Sequence, residues 1–452
     1  MDASDDPIQP DDLDGLFAPL EPDTPCALAV SGGSDSTALM VLFADWLRRL
    51  GQDTAHRTVL TVDHGLRADS ASEARSVAVA AARLGYRHAT LVWKGPKPLT
   101  GIQVAARHAR YRLMGDYMRA HGIGLLLTAH TRDDQAETLL MRLARGSGLD
   151  GLSAMAPMAP LRDHDRGETE PCGVRMIARP LLDVPKARLR ATLRAQGIAW
   201  IEDPANRAPE FERSRLRAQR AQLDALGLTD AMLALSAARL LRARRTLDRI
   251  VAQFCDPDAG AVSVDACGIF TIDRNRLRQA GEEIVLRVLQ RAIVAAGGSE
   301  EPVPLGRLEA IVAAICHDNL SIQRRWTLAR ALIAIKAQTA VIEREPGREP
   351  PPELTVAPGT TVLWDGRFRV SVGPDFSAGP VQVRALGEAA LRDLRRRGAV
   401  ATSPAARAAA MVPSVWHKGE LIAVPSLCYW KAPHGCGAIG ATFCGIAKCR
   451  RA

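Results

Sequence analysis

The stretch Ala27-Leu28-Ala29-Val30-Ser31-Gly32-Gly33-Ser34-Asp35-Ser36-Thr37 is an apolar run that breaks into a small-residue turn and opens a helix. Its reading decides the fold. Glycines at 32 and 33 let the backbone turn tightly, so successive N–H groups can point at one anion while the positive end of the following helix faces it. Ser31, Ser34, Ser36 and Thr37 add hydroxyl donors, and the loop reads as a seat for pyrophosphate. A loop that cleaves between the β and γ phosphates ends in Gly-Lys-Ser/Thr, and that lysine is missing here. The competing reading is an ordinary Gly/Ser turn capped at Ser34 or Asp35.

Outward from the loop, buried apolar runs alternate with helical patterns. Cys26 to Val30, Thr58 to Val62, His88 to Trp93 and Gly124 to Thr128 read as strands. Between them, Ser36 to Leu50, Ser70 to Leu84 and Gln103 to His121 carry apolar residues at helical spacing. Such alternation predicts an α/β fold, a doubly wound parallel sheet with ligands at the carboxyl ends of its strands. Three of those ends are polar: Ser31 to Thr37, Asp63-His64-Gly65-Leu66-Arg67, and Ala129-His130-Thr131-Arg132-Asp133-Asp134.

The last of these begins a helix with Asp133, Asp134 and Glu137 in its first turns. The helix dipole alone favours acids there. Asp133 and Glu137 share a face with Asp134 beside them, so the cluster can also hold Mg²⁺ on ATP phosphates, or hold and deprotonate an amine. His130 at the strand end either stabilises a phosphoryl group or bonds a local carbonyl.

A chain of 452 residues predicts two or three domains. The acids Asp2, Asp5, Asp6, Asp11, Asp12, Asp14, Glu21 and Asp23 crowd the first two dozen positions, and residues 1–22 are expected as an acidic tail, followed by an ATP-binding catalytic domain over 23–217. Pro160 to Pro171 reads as a surface loop within that domain. An Arg/Ala/Leu-rich pattern from Leu216 to Arg244, then Leu277 to Ala296 and Leu305 to Cys316, predicts a helical second domain over 218–345. The Pro-rich linker Pro346 to Pro352 precedes a small α+β C-terminal domain over 353–452, with strands at Thr360 to Leu363, Phe368 to Val372 and Leu421 to Val424. The net charge of +9 favours a polyanionic partner, although an Arg-rich genome produces the same balance. No basic leader with an apolar core opens the chain and no apolar run is long enough to span a bilayer, so a cytoplasmic protein without a membrane partner is expected. Nine cysteines without a Cys-x-x-Cys pair predict reduced thiols. Cys428, Cys436, Cys444 and Cys449 crowd the C-terminus beside His434, at spacings unlike zinc ligand pairs.

The Ser31 to Ser36 loop resembles the SGGxDS signature of the PP-loop ATP pyrophosphatases, an adenine nucleotide α-hydrolase-like fold that cleaves ATP between the α and β phosphates. Thr128 through Leu152, Val62 to Arg67, Arg107-x-x-Arg110-Tyr111, and Asp203-Pro204-Ala205-Asn206 followed by Phe211-x-Arg213-x-Arg215-x-Arg217 resemble the tRNA(Ile)-lysidine synthase family, in that family's order. The resemblance implies an enzyme whose substrates are ATP, L-lysine and the isoleucine tRNA carrying a CAU anticodon, with Mg²⁺ as cofactor. In such an enzyme ATP adenylates the C2 oxygen of the wobble cytidine, and the lysine ε-amine displaces AMP. Carried onto these residues, Ser31, Gly32, Gly33, Ser34, Asp35 and Ser36 bind ATP. Asp35 and Asp134 engage Mg²⁺, and Asp133, Asp134 and Glu137 position lysine. Asp35, His130, Asp133 and Asp134 form the catalytic group together with Arg110 and Arg213, which either contact phosphate or face tRNA.

Two residues depart from the family pattern: Gln103 stands where Glu is common, and Ala205 where Ser is usual. A PP-loop thiolase would want paired cysteines, which Cys26 and Cys172 do not supply. An amidating synthetase would need an amidotransferase nucleophile, which is not evident. A catalytically silent tRNA-binding protein would tolerate loss of Asp35, Asp134 or the glycine pair, and all remain. A homodimer stays open.

Overall fold

The computed structural model describes residues 6–66, 69–98, 100–161, 175–202, 212–299, 303–317, 324–347, 350–402, 406–431 and 438–445. The chain divides into two compact units, Met1–Arg244 and Arg245–Ala452. The first contains, in order, α1 (Asp12–Phe17), β1 (Cys26–Ala29), α2 (Ser34–Arg49), β2 (Thr58–Asp63), α3 (Ser70–Arg83), β3 (Arg87–Val92), α4 (Ile102–Ala120), β4 (Leu125–Leu127), α5 (Arg132–Leu143), α6 (Leu149–Leu152), β5 (Met158–Pro160), β6 (Met176–Ala178), α7 (Lys186–Ala195), α8 (Glu212–Ala218) and α9 (Arg220–Ala225). It also contains most of α10 (Asp230–Phe254).

One six-stranded sheet organises this unit, in the order β3-β2-β1-β4-β6-β5. All neighbours are parallel except β5, which runs antiparallel to β6 at the edge. β1 lies between β2 and β4 with Ala27 and Leu28 fully buried, as its apolar sequence requires of a strand covered on both faces. The chain winds outward through β2 and β3, then returns to the other side of β1 at β4. That reversal opens a crevice beyond the strand ends, with the Ser31 loop on one side and α5 on the other.

The expected acidic tail is anchored from residue 8 onward. Ile8, Leu13, Phe17 and Leu20 join the core around α2, and the Phe17 ring lies 5.3 Å from Phe43 and 5.2 Å from Trp46. Its acids pair with helix cations: Asp12 with Arg188 at 2.8 Å, and Asp11 and Asp14 with Arg49. The apolar residues hold the segment and the acids set its register.

Residues 218–345 are not wholly helical, and the expectation is corrected there. The helical pattern from Leu216 is three helices, α8, α9 and α10, broken at Gly227 where φ is +81°. Beyond it, five strands between Val262 and Arg344 form an antiparallel sheet, against which helices Glu282–Gly297 and Leu305–His317 are placed in the same core. Nor does 346–352 separate two cores. Buried residues from Val251 to Phe443 form one continuous cluster that also embraces a second five-stranded sheet and a three-stranded one. The strands expected near 360, 368 and 421 are present, as Thr361–Trp364, Phe368–Val372 and Glu420–Val424. Helix Glu282–Gly297 ends against the Asp365 turn. A Cβ on Gly298, whose φ is +65°, would lie 2.1 Å from the Asp365 carbonyl oxygen, so this contact admits only glycine.

Candidate active site

β1 ends at Ala29 and the chain turns through Ser31, Gly32 and Gly33 into α2. Gly32 has φ of +88°, and a Cβ there would sit 2.5 Å from Ile201 Cδ1. Ile201 N–H donates to the Gly32 carbonyl at 2.9 Å, so the loop is clamped by backbone from the far end of the unit. Within it, Ser36 Oγ donates to the Gly33 carbonyl at 3.1 Å and accepts from Ser31 N–H at 3.2 Å, while Thr37 Oγ1 donates to the Gly32 carbonyl. These bonds fix the turn that leads into α2, whose first-turn amides have no intrahelical acceptors and so are available to an anion. Asp35 accepts from Ser34 Oγ at 3.0 Å and forms an ion pair with Lys186 Nζ at 2.7 Å.

Across the crevice, Thr131 caps α5. Its side chain accepts from Asp134 N–H, and Asp134 Oδ2 accepts in return from Thr131 N–H at 2.9 Å and Thr131 Oγ1 at 3.0 Å, a capping box. Burial pushes the Asp134 carboxyl up, but the Thr131 N–H and the nearby charges of Arg213 and Lys186 outweigh it. The net shift is downward, and Asp134 stays ionised. Asp133 Oδ2 accepts from Lys186 N–H at 3.0 Å. Glu137, only 5% exposed, is gripped by Arg217 through two bonds of 2.6 and 3.2 Å, with Arg213 Nε at 3.8 Å. The acidic helix is therefore both a dipole-favoured start and a set of fixed acceptors.

His130 follows β4 with Nδ1 3.0 Å from Thr128 Oγ1, and burial pushes its ring well below the ordinary histidine range. It stands uncharged among cations. Arg110 lies with its guanidinium 5.3 Å from the Tyr111 ring centre, shifted down first by burial and then by Arg107 and Arg213. Arg179, buried just past the end of β6, donates to the Ala156 carbonyl at 2.8 Å and adds its charge beside His130. Asp63 at the end of β2 is held below the usual carboxylate range by Ser70 Oγ and by Gly65 N–H.

The structure joins Asp35 to Asp133 through Lys186, sets His130 beside Asp134 and Arg110, and pairs Glu137 with Arg213. Sequence reasoning missed Lys186, Arg179 and the Arg217 grip on Glu137. None has a local signal, since each becomes a neighbour only through the sheet. Asp203 to Phe211, Arg67, Cys172, His434, Cys436 and Cys449 lie outside the described residues. Gln103 is exposed in the first turn of α4, and Cys428 and Cys444 are free thiols.

Among the described residues no group of three or more His, Cys, Asp and Glu side chains gathers as metal ligands. Mg²⁺ commonly uses one or two carboxylates and completes its octahedron with water and substrate phosphate. Asp35 and Asp134, hard oxygen donors on the two walls of the crevice, fit that mode and not a closed protein cage.

A parallel sheet, a Gly-Gly-Ser loop at its switch point and an acidic helix opposite define a PP-loop nucleotide-binding domain, and the PP-loop domain family matches residues 9–223. Three curated relatives named tRNA(Ile)-lysidine synthase match much further. That of Bradyrhizobium diazoefficiens is 46% identical over 70% of this chain and 84% of its own, and that of Rhodopseudomonas palustris 43% over 74% and 94%. The Ruegeria pomeroyi protein is 38% identical over 90% of this chain and 89% of its own. The chain belongs to the tRNA(Ile)-lysidine synthase family, a family of ligases. No helix among the described residues is long and apolar enough to cross a membrane.

Proposed function

We propose that this chain ligates L-lysine to C2 of the wobble cytidine in the isoleucine tRNA with a CAU anticodon, consuming ATP and releasing AMP and pyrophosphate in the cytoplasm. The observation that carries this reading is the meeting of the pyrophosphate loop and the acidic helix α5 at one switch point, with their carboxylates bridged by a single lysine. Adenylation needs the first and amine capture needs the second.

In this reading Ser31 to Ser36 hold the leaving pyrophosphate with backbone amides and hydroxyls. Mg²⁺, held by Asp35 and Asp134, would supply positive charge against the phosphates. The C2 oxygen of cytidine forms a bond to the α-phosphorus as the bond to the bridging oxygen breaks. Arg110 and Arg213 offset the charge that develops, and the neutral His130 ring sits beside it without repelling the arginines. Asp133, Asp134 and Glu137 then orient the lysine ammonium and accept its proton, the amine attacks C2, and AMP leaves with the C2 oxygen. Basic residues of α10, including Arg239, Arg242 and Arg249, supply salt-sensitive contacts to tRNA phosphates.

The test is incubation with ATP, Mg²⁺, labelled lysine and tRNA(Ile) bearing CAU, against a methionine tRNA with the same anticodon. Lysine enters only the isoleucine tRNA, with one AMP and one pyrophosphate released per lysine. Asp134→Asn lowers the rate by about 100-fold or more while tRNA binding persists. Near-normal turnover in that variant refutes the role of Asp134, and pyrophosphate release without lysine incorporation replaces ligation by another adenylating modification.

A further inference from the structure

The pyrophosphate loop lacks the lysine that a Walker loop carries at its end, and the fold brings one from another element. Lys186 is the first residue of α7, a helix of ten residues that starts after Pro185. Its backbone is pinned: its N–H donates to Asp133 Oδ2, and the two residues before Pro185 are tied to α5 by bonds from Arg132, whose N–H donates to the Val184 carbonyl and whose guanidinium donates twice to the Asp183 carbonyl. Its side chain pairs at the tip with Asp35 Oδ2 at 2.7 Å, the one ion pair it makes among the described residues, and its charge also acts on Asp134. A fixed backbone with a long stem is a cation that can exchange one anion for another over a short arc. In the adenylation reading the anion nearest Asp35 is the β-phosphate, because Asp35 belongs to the loop that would seat it.

We infer that Lys186 is the pyrophosphate-binding cation of this site, transferred from its pair with Asp35 to the β-phosphate oxygens when ATP binds. The inference rests on the adenylation reading above. As the α-phosphorus bonds to the cytidine oxygen, the electron pair of the broken bond departs with pyrophosphate. Lys186 offsets that charge with N–H donors while exchanging no proton. The residue touches the leaving group and is catalytic in that sense, and the α7 N-terminus adds the same sign of potential.

Lys186→Met and Lys186→Arg are compared with the wild type by calorimetric binding of inorganic pyrophosphate and of ATP, each with Mg²⁺ and without tRNA or lysine. Lys186→Met weakens both by about tenfold or more, and Lys186→Arg recovers most of the loss. On the wild type alone, pyrophosphate protects the Lys186 amine from acetylation read by mass spectrometry, a result independent of how the variants fold. Wild-type affinity in a folded Lys186→Met, or acetylation unaffected by saturating pyrophosphate, overturns the assignment. Because neither readout uses tRNA or lysine, a wild type that binds pyrophosphate and makes no lysidine removes the ligation reading and leaves the Lys186 result decided by binding.

Discussion

Two carboxylates in this protein are each surrounded by arginines, and they serve opposite ends. Glu137 in the first unit is buried, but Arg213 and Arg217, which grip it, are 44% and 38% exposed. Asp365 in the second unit is fully buried with Arg344 and Arg367, themselves 3% and 1% exposed, at 3.0 and 2.8 Å, and Arg330 completes the set. Arg367 also donates to the Met411 carbonyl at 2.6 Å and lies over the Trp364 and Phe368 rings, so nearly every polar atom and apolar face there is spent on the chain itself. Both arginines on Glu137 face solvent, whereas of the three on Asp365 two are sealed in and only Arg330 reaches water. The difference teaches that residue type does not separate a binding group from a structural one. Access to the partner does: a carboxylate whose cations all face solvent can trade one for a substrate amine, and one also held by two buried guanidinium groups cannot.

The largest expected effect falls on the buried carboxylate Asp365. Asp365→Asn leaves three guanidinium groups facing one neutral amide, and breaking a buried pair of this kind costs about 3–5 kcal/mol. A chemical denaturation curve should show that loss with the slope unchanged, and a midpoint near that of the wild type would mean that the two buried guanidinium groups contribute nothing beyond the solvent-facing Arg330. The next effect is on function. Glu137→Gln keeps an acceptor for Arg217, and since its arginines are solvated the stability cost is about 1 kcal/mol. If Glu137 positions lysine, KM for lysine rises by about tenfold while pyrophosphate release dependent on tRNA and ATP persists. A loss of stability with lysine KM unchanged would place Glu137 with Asp365 as a structural acid.

The same contrast explains what the sequence discloses. β1, β2 and β4 are short apolar runs closed by polar turns; β3, expected as a buried strand, is an edge strand with no buried residue, and all four lie within two residues of their expected bounds, as do α2, α3 and α4. The loop and the α5 acids are local in sequence and were readable for that reason. The sheet between Val262 and Arg344 was hidden because Ala331–Ile335 is an alanine- and isoleucine-rich run that fits a buried helix as well as a strand. Its hairpin turn also lacks the usual signal: Ala329 and Arg330 adopt φ of +47° and +64°, where Asn-Gly would have marked the turn. Lys186 on Asp35 and Arg217 on Glu137 are products of tertiary packing, and no spacing rule reaches them.

The smallest effect is the acid dependence of stability, and it sharpens the comparison without touching catalysis. Burial raises the Asp365 carboxyl, but the charges of Arg367, Arg344 and Arg330 and the Arg344 hydrogen bond bring it below its ordinary value. A carboxylate depressed on folding contributes stability that is fully present above the unfolded pKa of about 3.9 and is lost as pH falls through the folded one. Asp134 in the crevice is depressed as well, so both units carry the same sign. Stability measured by denaturant should therefore be insensitive to these two acids from about pH 8 to 5 and fall below about pH 4. Asp365→Asn removes one of them, and its curve should start lower and decline less steeply on the acid side. An unchanged acid slope in that variant would show that Asp365 is not held in its charged form by the arginines, and the cluster would then owe its geometry to packing alone.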